Sequence, residues 1–109
     1  MADPITIADF TKIELRTAKV LEAKPHPNAD KLLVLQVEVG DLRKQICAGI
    51  KQHYTPEELV GKTIIVVNNL QTAVLRGEES QGMLLAASDE SGVVLLRPER
   101  DMPSGCQVK

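Results

Sequence analysis

The sequence predicts an all-β domain of five or six short strands with one short helix in the middle of the chain. Apolar side chains alternate through KLLVLQVEVG (31–40), where the odd-numbered positions from 33 to 39 fall on one face of a strand. The segment YTPEELVGK (54–62) carries the signals of a short helix, with Thr55 at the N-cap and Pro56 at the first helical position. This helix falls between the predicted third and fourth strands. That order is typical of the OB-fold, a five-stranded Greek-key barrel.

The other elements follow from apolar runs and the turn residues that separate them. Thr6 is expected to cap a short helical turn, and the first strand is expected to begin near Ile13 and to stop at the turn-rich PHPNAD (25–30). The remaining predicted strands are 31–40, 43–50, 62–70, 82–88 and 92–99. Ser91-Gly92 predicts a hairpin turn between the last two. A C-terminal extension follows, in which Val108 is expected to add a short edge pairing.

Length and composition predict a single globular domain over residues 1–109. Hydrophobic residues make up 43% of the chain, which is typical of a folded protein. No apolar run approaches the length of a membrane span, and the acidic start lacks the features of a signal peptide. We therefore expect a cytoplasmic protein without a membrane partner.

The residues that could carry catalysis or bind a metal do not form recognisable sets. The two cysteines, Cys47 and Cys106, are expected to be free thiols, and their spacing with His26 and His53 matches no zinc pattern. Ser80 lies outside any GxSxG motif, and the acidic pairs are adjacent in sequence, so their side chains diverge in regular structure. We expect no enzymatic activity, no metal and no cofactor.

Charge is distributed unevenly along the chain, although its formal total is only −2. Residues 12–51 hold eight bases against five acids, a balance of +3, whereas residues 52–109 hold five bases against eight acids, a balance of −3. A folded face can therefore be basic. The aromatic residues are Phe10 and Tyr54, too few for a base-stacking platform. Any nucleic acid would be recognised by backbone shape and charge.

The segment NNLQTAVLRGEESQGM (68–83) is a long connector between two predicted core strands. A tight hairpin would need about two residues, and connectors this long are usually functional or disordered. Arg76 can bind phosphate in a bidentate manner, and Ser80 and Gln81 can donate to phosphate or 2′-OH groups. Met83 could be an apolar contact or a core residue. A binding surface and a solvated loop both remain open on composition alone.

Several ordered motifs resemble one known family. The segments DFTKIELRTAKV (9–20), HPNADKLLVLQVEVG (26–40), GIKQHYTPEELVGKTIIVVNNL (49–70) and LRGEESQGMLLAAS (75–88) are similar to the tRNA-binding OB domain that accompanies aminoacyl-tRNA synthetases. The resemblance covers about residues 6–108. The most similar branch comprises the C-terminal domain of bacterial methionyl-tRNA synthetase and the stand-alone structure-specific tRNA-binding protein.

The resemblance implies a non-catalytic module that binds folded tRNA by its shape and assists aminoacylation. It also implies a homodimer and, as a possible partner, the catalytic domain of a synthetase. The C-terminal run 93–109 and the turn at Phe10 are the candidate dimer surfaces. Carried over from the family motifs, the RNA-facing residues are Lys31, Asn69, Arg76, Ser80, Gln81 and Met83. Charge and location add Arg43, Lys44 and Lys51.

The connector also departs from the family pattern, and two other functions remain open. Thr72 replaces a family proline, Val74 a lysine, and Glu78 an apolar residue, so we expect modest RNA affinity. One alternative is a CsaA-like chaperone of secreted polypeptides, a branch that departs at the ADKL and SQGM motifs. The other is a module that mainly dimerises a synthetase.

Overall fold

The computed structural model describes residues 2–109 and has the all-β, OB-like architecture that the sequence predicts. The two helical turns are α1 (Ile7–Phe10) and α2 (Pro56–Leu59). The strands are β1 (Leu15–Pro25), β2 (Leu33–Val39), β3 (Leu42–Ala48), β4 (Thr63–Val67), β5 (Ala73–Leu75), β6 (Glu78–Ser80), β7 (Met83–Leu84), β8 (Ala86–Asp89), β9 (Gly92–Leu95) and β10 (Gln107–Val108). Across this part of the chain, no helix has the length and apolar character needed to cross a membrane.

One curled antiparallel sheet forms the barrel, with its strands in the order β3-β2-β1-β4-β7. The long strand β1 pairs with β2 on one side and with β4 on the other. Its register with β2 shifts between Val20 and Glu22, which leaves Leu21 as a bulge. A bulge bends and twists a strand locally, as barrel closure requires.

The barrel is closed by side chains as well as by main-chain hydrogen bonds. The Gln81 amide N–H donates to the Gln45 carbonyl over 2.7 Å, and the Gln81 side chain accepts from the Gln45 amide over 2.9 Å. The Ser80 hydroxyl accepts from the Cys47 amide over 3.0 Å and donates to the Gly82 carbonyl. These bonds satisfy backbone groups of β3 that would otherwise be exposed at a sheet edge.

The core lies inside the barrel and is almost entirely aliphatic. The predicted inward face of β2 is confirmed, because Leu33, Leu35 and Val37 are fully buried. Further buried core residues come from every other barrel strand and from α2, namely Ala18, Val20, Ile46, Ile64, Val66, Leu84 and Leu59. The aliphatic core accounts for the scarcity of aromatic residues in the composition.

The two predicted helix caps are both present. Thr6 accepts from the Asp9 amide at the start of α1. Thr55 and Glu58 form a reciprocal capping box at the start of α2, with Pro56 in the first turn. The hydrogen bonds from the Thr55 amide and hydroxyl lower the pKa of the Glu58 carboxyl.

Three parts of the structure differ from the elements that the sequence predicts. The connector 68–83 contains the hairpin β5–β6, which the sequence analysis did not predict. The predicted fifth strand (82–88) is divided into β7 and β8, and the predicted sixth strand is shorter and pairs with β8 outside the barrel sheet. The interruption occurs at Leu85, whose amide donates to the Ile65 carbonyl while its own carbonyl accepts from Leu96.

The C-terminal extension returns to β1, as the sequence predicts. Val108 pairs with Leu15 in a short antiparallel ladder. Thr17 fastens the extension further, since its hydroxyl donates to the Pro103 carbonyl and accepts from the Cys106 amide. The C-terminal extension is therefore tied to the first strand.

Candidate nucleic-acid interface

His26 joins the loop between β1 and β2 to the hairpin β5–β6. Its Nδ1 atom accepts from the Asn28 amide over 2.9 Å, so the proton of the neutral ring lies on Nε2. Nε2 then donates to the Leu75 carbonyl over 2.7 Å. The imidazole is only 4% exposed, and the Asn28 side chain adds a longer contact to the Arg76 carbonyl. The loop and the hairpin turn are thus held side by side.

This junction brings two predicted RNA-binding residues, Lys31 and Arg76, to one polar pocket. The pocket has a volume of about 440 Å³ and is lined by Asn28, Ala29, Asp30, Lys31, Leu32 and Arg76. Lys51 lies next to it, because its amide donates to the Lys31 carbonyl over 3.4 Å. Three of the nine predicted residues therefore come from three separate segments and meet at one place.

The hairpin turn has a backbone that presents Arg76 at its tip. Arg76 and Gly77 both have positive φ, 51° and 91°, as a two-residue type I′ turn requires. Glycine adopts this conformation without cost, whereas arginine at such a position is uncommon. The hairpin thus carries a long cationic side chain at its most projecting point.

The cations of this junction, Lys31, Lys51 and Arg76, form no ion pair with the described residues. Over residues 2–109, the ion pairs within 4.0 Å are Lys12–Asp9 and Arg16–Glu14, neither of which involves Lys31, Lys51 or Arg76. Asp30 is the one acid among the residues that line the pocket. The pocket lining and Lys51 together carry three cations and one acid, which suits a phosphate ligand at the pocket. The adjoining strand β6 carries two further acids, Glu78 and Glu79.

An apolar cleft of about 370 Å³ adjoins the polar pocket. Its lining comes from the residue before β2, the end of β3, the segment after β4, the hairpin and the start of β7. These residues are Leu32, Cys47, Ala48, Gly49, Leu70, Gln71, Ala73, Leu75, Ser80, Gly82, Met83 and Leu84. Met83, a predicted contact residue, is 48% exposed at this cleft. Burial raises the pKa of the Cys47 thiol, and the charge of Glu78 raises it further. The thiol is therefore a neutral part of an apolar wall.

Three other predicted residues are engaged in bonds within the protein. Ser80 is 5% exposed, and its hydroxyl and the Gln81 amide group close the barrel against β3. The Asn69 side chain accepts from the Glu14 amide and donates to the Lys12 carbonyl. These side chains hold strands and loops around the cleft. The Ser80 hydroxyl and both side-chain polar atoms of Asn69 are already bonded, as is the side-chain oxygen of Gln81.

Arg43 and Lys44 lie at the start of β3, at the opposite end of that strand from Ala48 and the cleft. Lys44 donates to the Asn68 carbonyl over 2.8 Å, and Arg43 is exposed opposite Glu38. A hydrogen bond donated by the Asn68 side chain lowers the pKa of the neighbouring Glu14 carboxyl, and the charges of Arg16 and Lys44 lower it further. The cationic cluster at Arg43 and Lys44 therefore includes the ionised carboxylate of Glu14.

Two residues that build the site, His26 and Asn28, were not predicted from the sequence. Both belong to the HPNADKL segment (26–32), in which the sequence indicates a turn, a family motif and the cation Lys31, and in which His26 was considered only as a metal ligand. His26 lies between two prolines in a predicted turn. Nothing in that local pattern indicates that its imidazole is buried and hydrogen-bonded at both ring nitrogens. Its bond to Leu75 crosses 49 residues of sequence.

Comparison with known proteins agrees with this architecture. Residues 15–107 match the model of a family described as "Putative tRNA binding domain". The chain is 57% identical over 104 residues to "Methionine--tRNA ligase" of Methanococcus aeolicus, a match that covers 95% of this chain and 15% of that enzyme. The chain thus spans about 15% of the length of this curated relative.

Two solved structures share the fold over nearly their whole length. The "MetRS related protein from Pyrococcus horikoshii" is 34% identical with a TM-score of 0.92, and the match covers 99% of this chain and 100% of that one. The "chaperone CsaA" of Bacillus anthracis is 29% identical with a TM-score of 0.89, covering 98% and 100%. The resemblance found in the sequence motifs is confirmed. The chain belongs to the tRNA-binding domain family, a non-catalytic module that occurs within methionine–tRNA ligases and also as a stand-alone chain.

Proposed function

We propose that this module binds folded tRNA by its shape and backbone charge and thereby assists aminoacylation by a methionyl-tRNA synthetase. The observation that carries the proposal is the junction at which His26 holds Arg76 of the hairpin beside Lys31 of the loop between β1 and β2. In OB-folds, this loop and the loop between the fourth and fifth barrel strands bind oligonucleotides. The two cations occupy those two positions.

Recognition by shape fits the side chains around the junction. Phe10 lies in α1, and the Tyr54 hydroxyl accepts from the Leu95 amide; neither aromatic lines the polar pocket or the cleft. A stacking platform for consecutive bases would need aromatic side chains there. Cations on two rigidly joined segments can instead bind selectively to a folded RNA whose phosphates have the matching spacing.

The synthetase is the proposed partner, because relatives at 57% and 54% identity are methionine–tRNA ligases in which the matching segment is a small part of the chain. A module of this kind raises the local concentration of tRNA near a catalytic domain, whether joined to it or associated with it. The cytoplasm, where tRNA is charged, is the proposed compartment.

Substitution of either cation is expected to weaken tRNA binding. We expect Lys31→Ala and Arg76→Ala each to lower the affinity for folded tRNA by about three- to tenfold, because each removes a charge-assisted phosphate contact. Each should also flatten the plot of log K against log salt by about 0.9. The measurement is a titration with folded tRNA and with a length-matched unstructured RNA at several salt concentrations.

The control is Lys19→Ala, which removes the same charge at a distant exposed position. Lys19 is opposite Glu38 on β2, about 17 Å along that strand from its start at Leu33. This variant should bind tRNA almost as the original chain does. Equal and weak binding of both RNAs, unchanged by Lys31→Ala and Arg76→Ala, would contradict the proposed function.

We also propose that the module forms a homodimer through its N-terminal turn and its C-terminal run. Both segments adjoin β1, since α1 precedes it and β10 pairs with it. They expose large apolar side chains at Ile5, Ile7, Phe10, Leu96 and Met102, with exposures between 37% and 75%. Burial of such side chains between two copies would remove apolar surface from water.

We expect the purified chain to sediment as a dimer and Leu96→Lys to shift it toward the monomer, because a buried lysine charge opposes association. Analytical ultracentrifugation over a range of concentrations measures this shift. Val60→Lys is the matched control, since Val60 is similarly exposed at the end of α2 and lies outside both segments. A monomer at every concentration would refute the dimer, and dissociation by both lysines alike would refute its proposed surface.

Binding of extended polypeptides is the second candidate function. The apolar cleft favours it, as does the structural similarity to the protein titled chaperone CsaA. Competition separates the two functions. An unfolded polypeptide that displaces tRNA only at large excess, or not at all, supports the tRNA function, whereas tight peptide binding with weak tRNA binding supports the chaperone function.

A further inference from the structure

We propose that the apolar cleft is a nucleobase subsite, which takes one unpaired base of the bound RNA while the adjoining phosphate contacts Lys31 and Arg76. This inference rests on the proposed function and specifies the ligand chemistry of the same site. It assigns a role to the apolar half of the interface, which phosphate binding alone leaves unused. The expected ligand is a nucleotide of any base type, presented by a folded RNA.

The cleft leaves large apolar side chains partly exposed within the described chain. Leu70, Leu75 and Met83 line it and are 46%, 37% and 48% exposed. Its volume of about 370 Å³ lies within the range of small-molecule sites. A flat apolar ligand placed against these side chains would remove their surface from water. The face of a nucleobase is such a ligand, and methionine is well suited to contact it.

The cleft and the cationic pocket share a wall. Leu32 lines both, and it follows Lys31 directly in the chain. Leu75 lines the cleft, and the next residue, Arg76, lines the pocket. An apolar surface and two cations are thus placed side by side, as the base and the phosphate are in a nucleotide. An apolar peptide side chain would fill the cleft equally well but would leave the cations without an anion.

The lining offers few polar groups that could distinguish one base from another. The Ser80 hydroxyl already accepts from the Cys47 amide and donates to the Gly82 carbonyl, so it has no free proton for a base edge. The side chain of Gln71 is exposed at the rim. We therefore expect selection for an unpaired base and weak selection for its identity. Folded RNA would then be recognised by where it places that base relative to its phosphates.

The first test measures binding of single nucleotides to the intact chain by ¹H–¹⁵N NMR. Adenosine and cytidine 5′-monophosphate are expected to give saturable shifts at the amides of Gly49, Gln71 and Met83, with similar affinities. Inorganic phosphate should shift only the amides near Lys31 and Arg76. A blocked Leu-Ala-Leu peptide is the third probe. Shifts of the cleft amides by this peptide and by neither nucleotide would overturn the proposal in favour of a polypeptide site.

The second test fills the cleft and measures tRNA binding. Gly49 suits this purpose, because its φ is outside the left-handed region and a Cβ there would meet nothing nearer than Leu32 Cδ2 at 3.9 Å. We expect Gly49→Leu to lower the affinity for folded tRNA about tenfold, because the leucine side chain would occupy the space of the base, with the salt slope unchanged. Ala86→Leu is the control, since Ala86 is an exposed alanine of β8 that does not line the cleft.

The outcomes separate this inference from the proposed function. If the unmodified chain prefers folded tRNA with a salt slope that depends on Lys31 and Arg76, while Gly49→Leu binds equally well, the base subsite is refuted and the proposed function stands. If the unmodified chain shows no preference for tRNA, the proposed function fails. In that case, nucleotide shifts in the cleft decide the subsite separately.

Discussion

Replacement of Gly82 by alanine is expected to lower the free energy of unfolding by about 2–5 kcal/mol. The residue has φ of +152°, and a Cβ built on it lies 2.8 Å from the carbonyl oxygen of Val67. Val67 cannot move away easily, because its backbone pairs with Leu15 on one side and with Met83 on the other. The alanine therefore adds backbone strain and a clash where the chain returns to close the barrel.

Urea unfolding followed by far-UV circular dichroism measures this effect. Gly49→Ala is the matched control, since the same change there meets no close atom and no positive φ. It should change stability by less than about 1 kcal/mol, with a small increase expected from the stiffer unfolded chain. A Gly82→Ala variant as stable as this control would show that the segment 80–83 can shift without loss of barrel closure.

The barrel strands were predictable because apolar alternation, as in β2, or a continuous apolar run, as in β4, is visible within each strand. The aliphatic positions of β2 identify its inward face without any knowledge of its neighbours. Closure of the barrel was not predictable in the same way. It depends on hydrogen bonds that amides of β3 donate to the side chains of Gln81 and Ser80. These bonds cross more than 30 residues and use polar side chains that local patterns assign to loops.

The hairpin β5–β6 was missed for a different physical reason. All three residues of β5 are exposed, so this strand has no inward apolar face to produce an alternating pattern. Its turn places Arg76 at positive φ, whereas the residues that usually mark a type I′ turn are Asn, Asp and Gly. The hairpin is held by contacts with the loop that begins at His26 and with Gln45 of β3, none of which is local.

Candidate site residues were chosen one by one from charge and from the family motifs, and the structure separates them by their surroundings. Lys31, Lys51 and Arg76 lie together at the junction, whereas Ser80, Gln81 and Asn69 are engaged in bonds that build the fold. Sequence could indicate that a cation or an amide was present. It could not indicate whether the polar atoms were free, because that depends on partners far along the chain.

The second large effect is expected from His26→Ala, which should reduce tRNA affinity as strongly as Arg76→Ala does, about three- to tenfold. The variant removes the donor to the Leu75 carbonyl and the acceptor for the Asn28 amide. Both partners lose a hydrogen bond, and stability should fall by about 1–3 kcal/mol. The measurements are the tRNA titration and urea unfolding. His53→Ala is the control, because His53 is an exposed histidine outside the junction.

A double-mutant cycle distinguishes positioning by His26 from a separate contribution of His26 to binding. If His26 acts by holding Arg76 beside Lys31, then Arg76→Ala should cost little further affinity in a chain that already carries His26→Ala. The salt slope should also change little at that second step, since a misplaced arginine no longer makes its phosphate contact. Additive losses at His26 and Arg76 would contradict positioning and would mean that the hairpin keeps its place without the imidazole. Non-additive losses would show that the geometry of the cationic junction depends on the buried His26. The imidazole would then act by positioning Arg76 and not by contacting RNA itself.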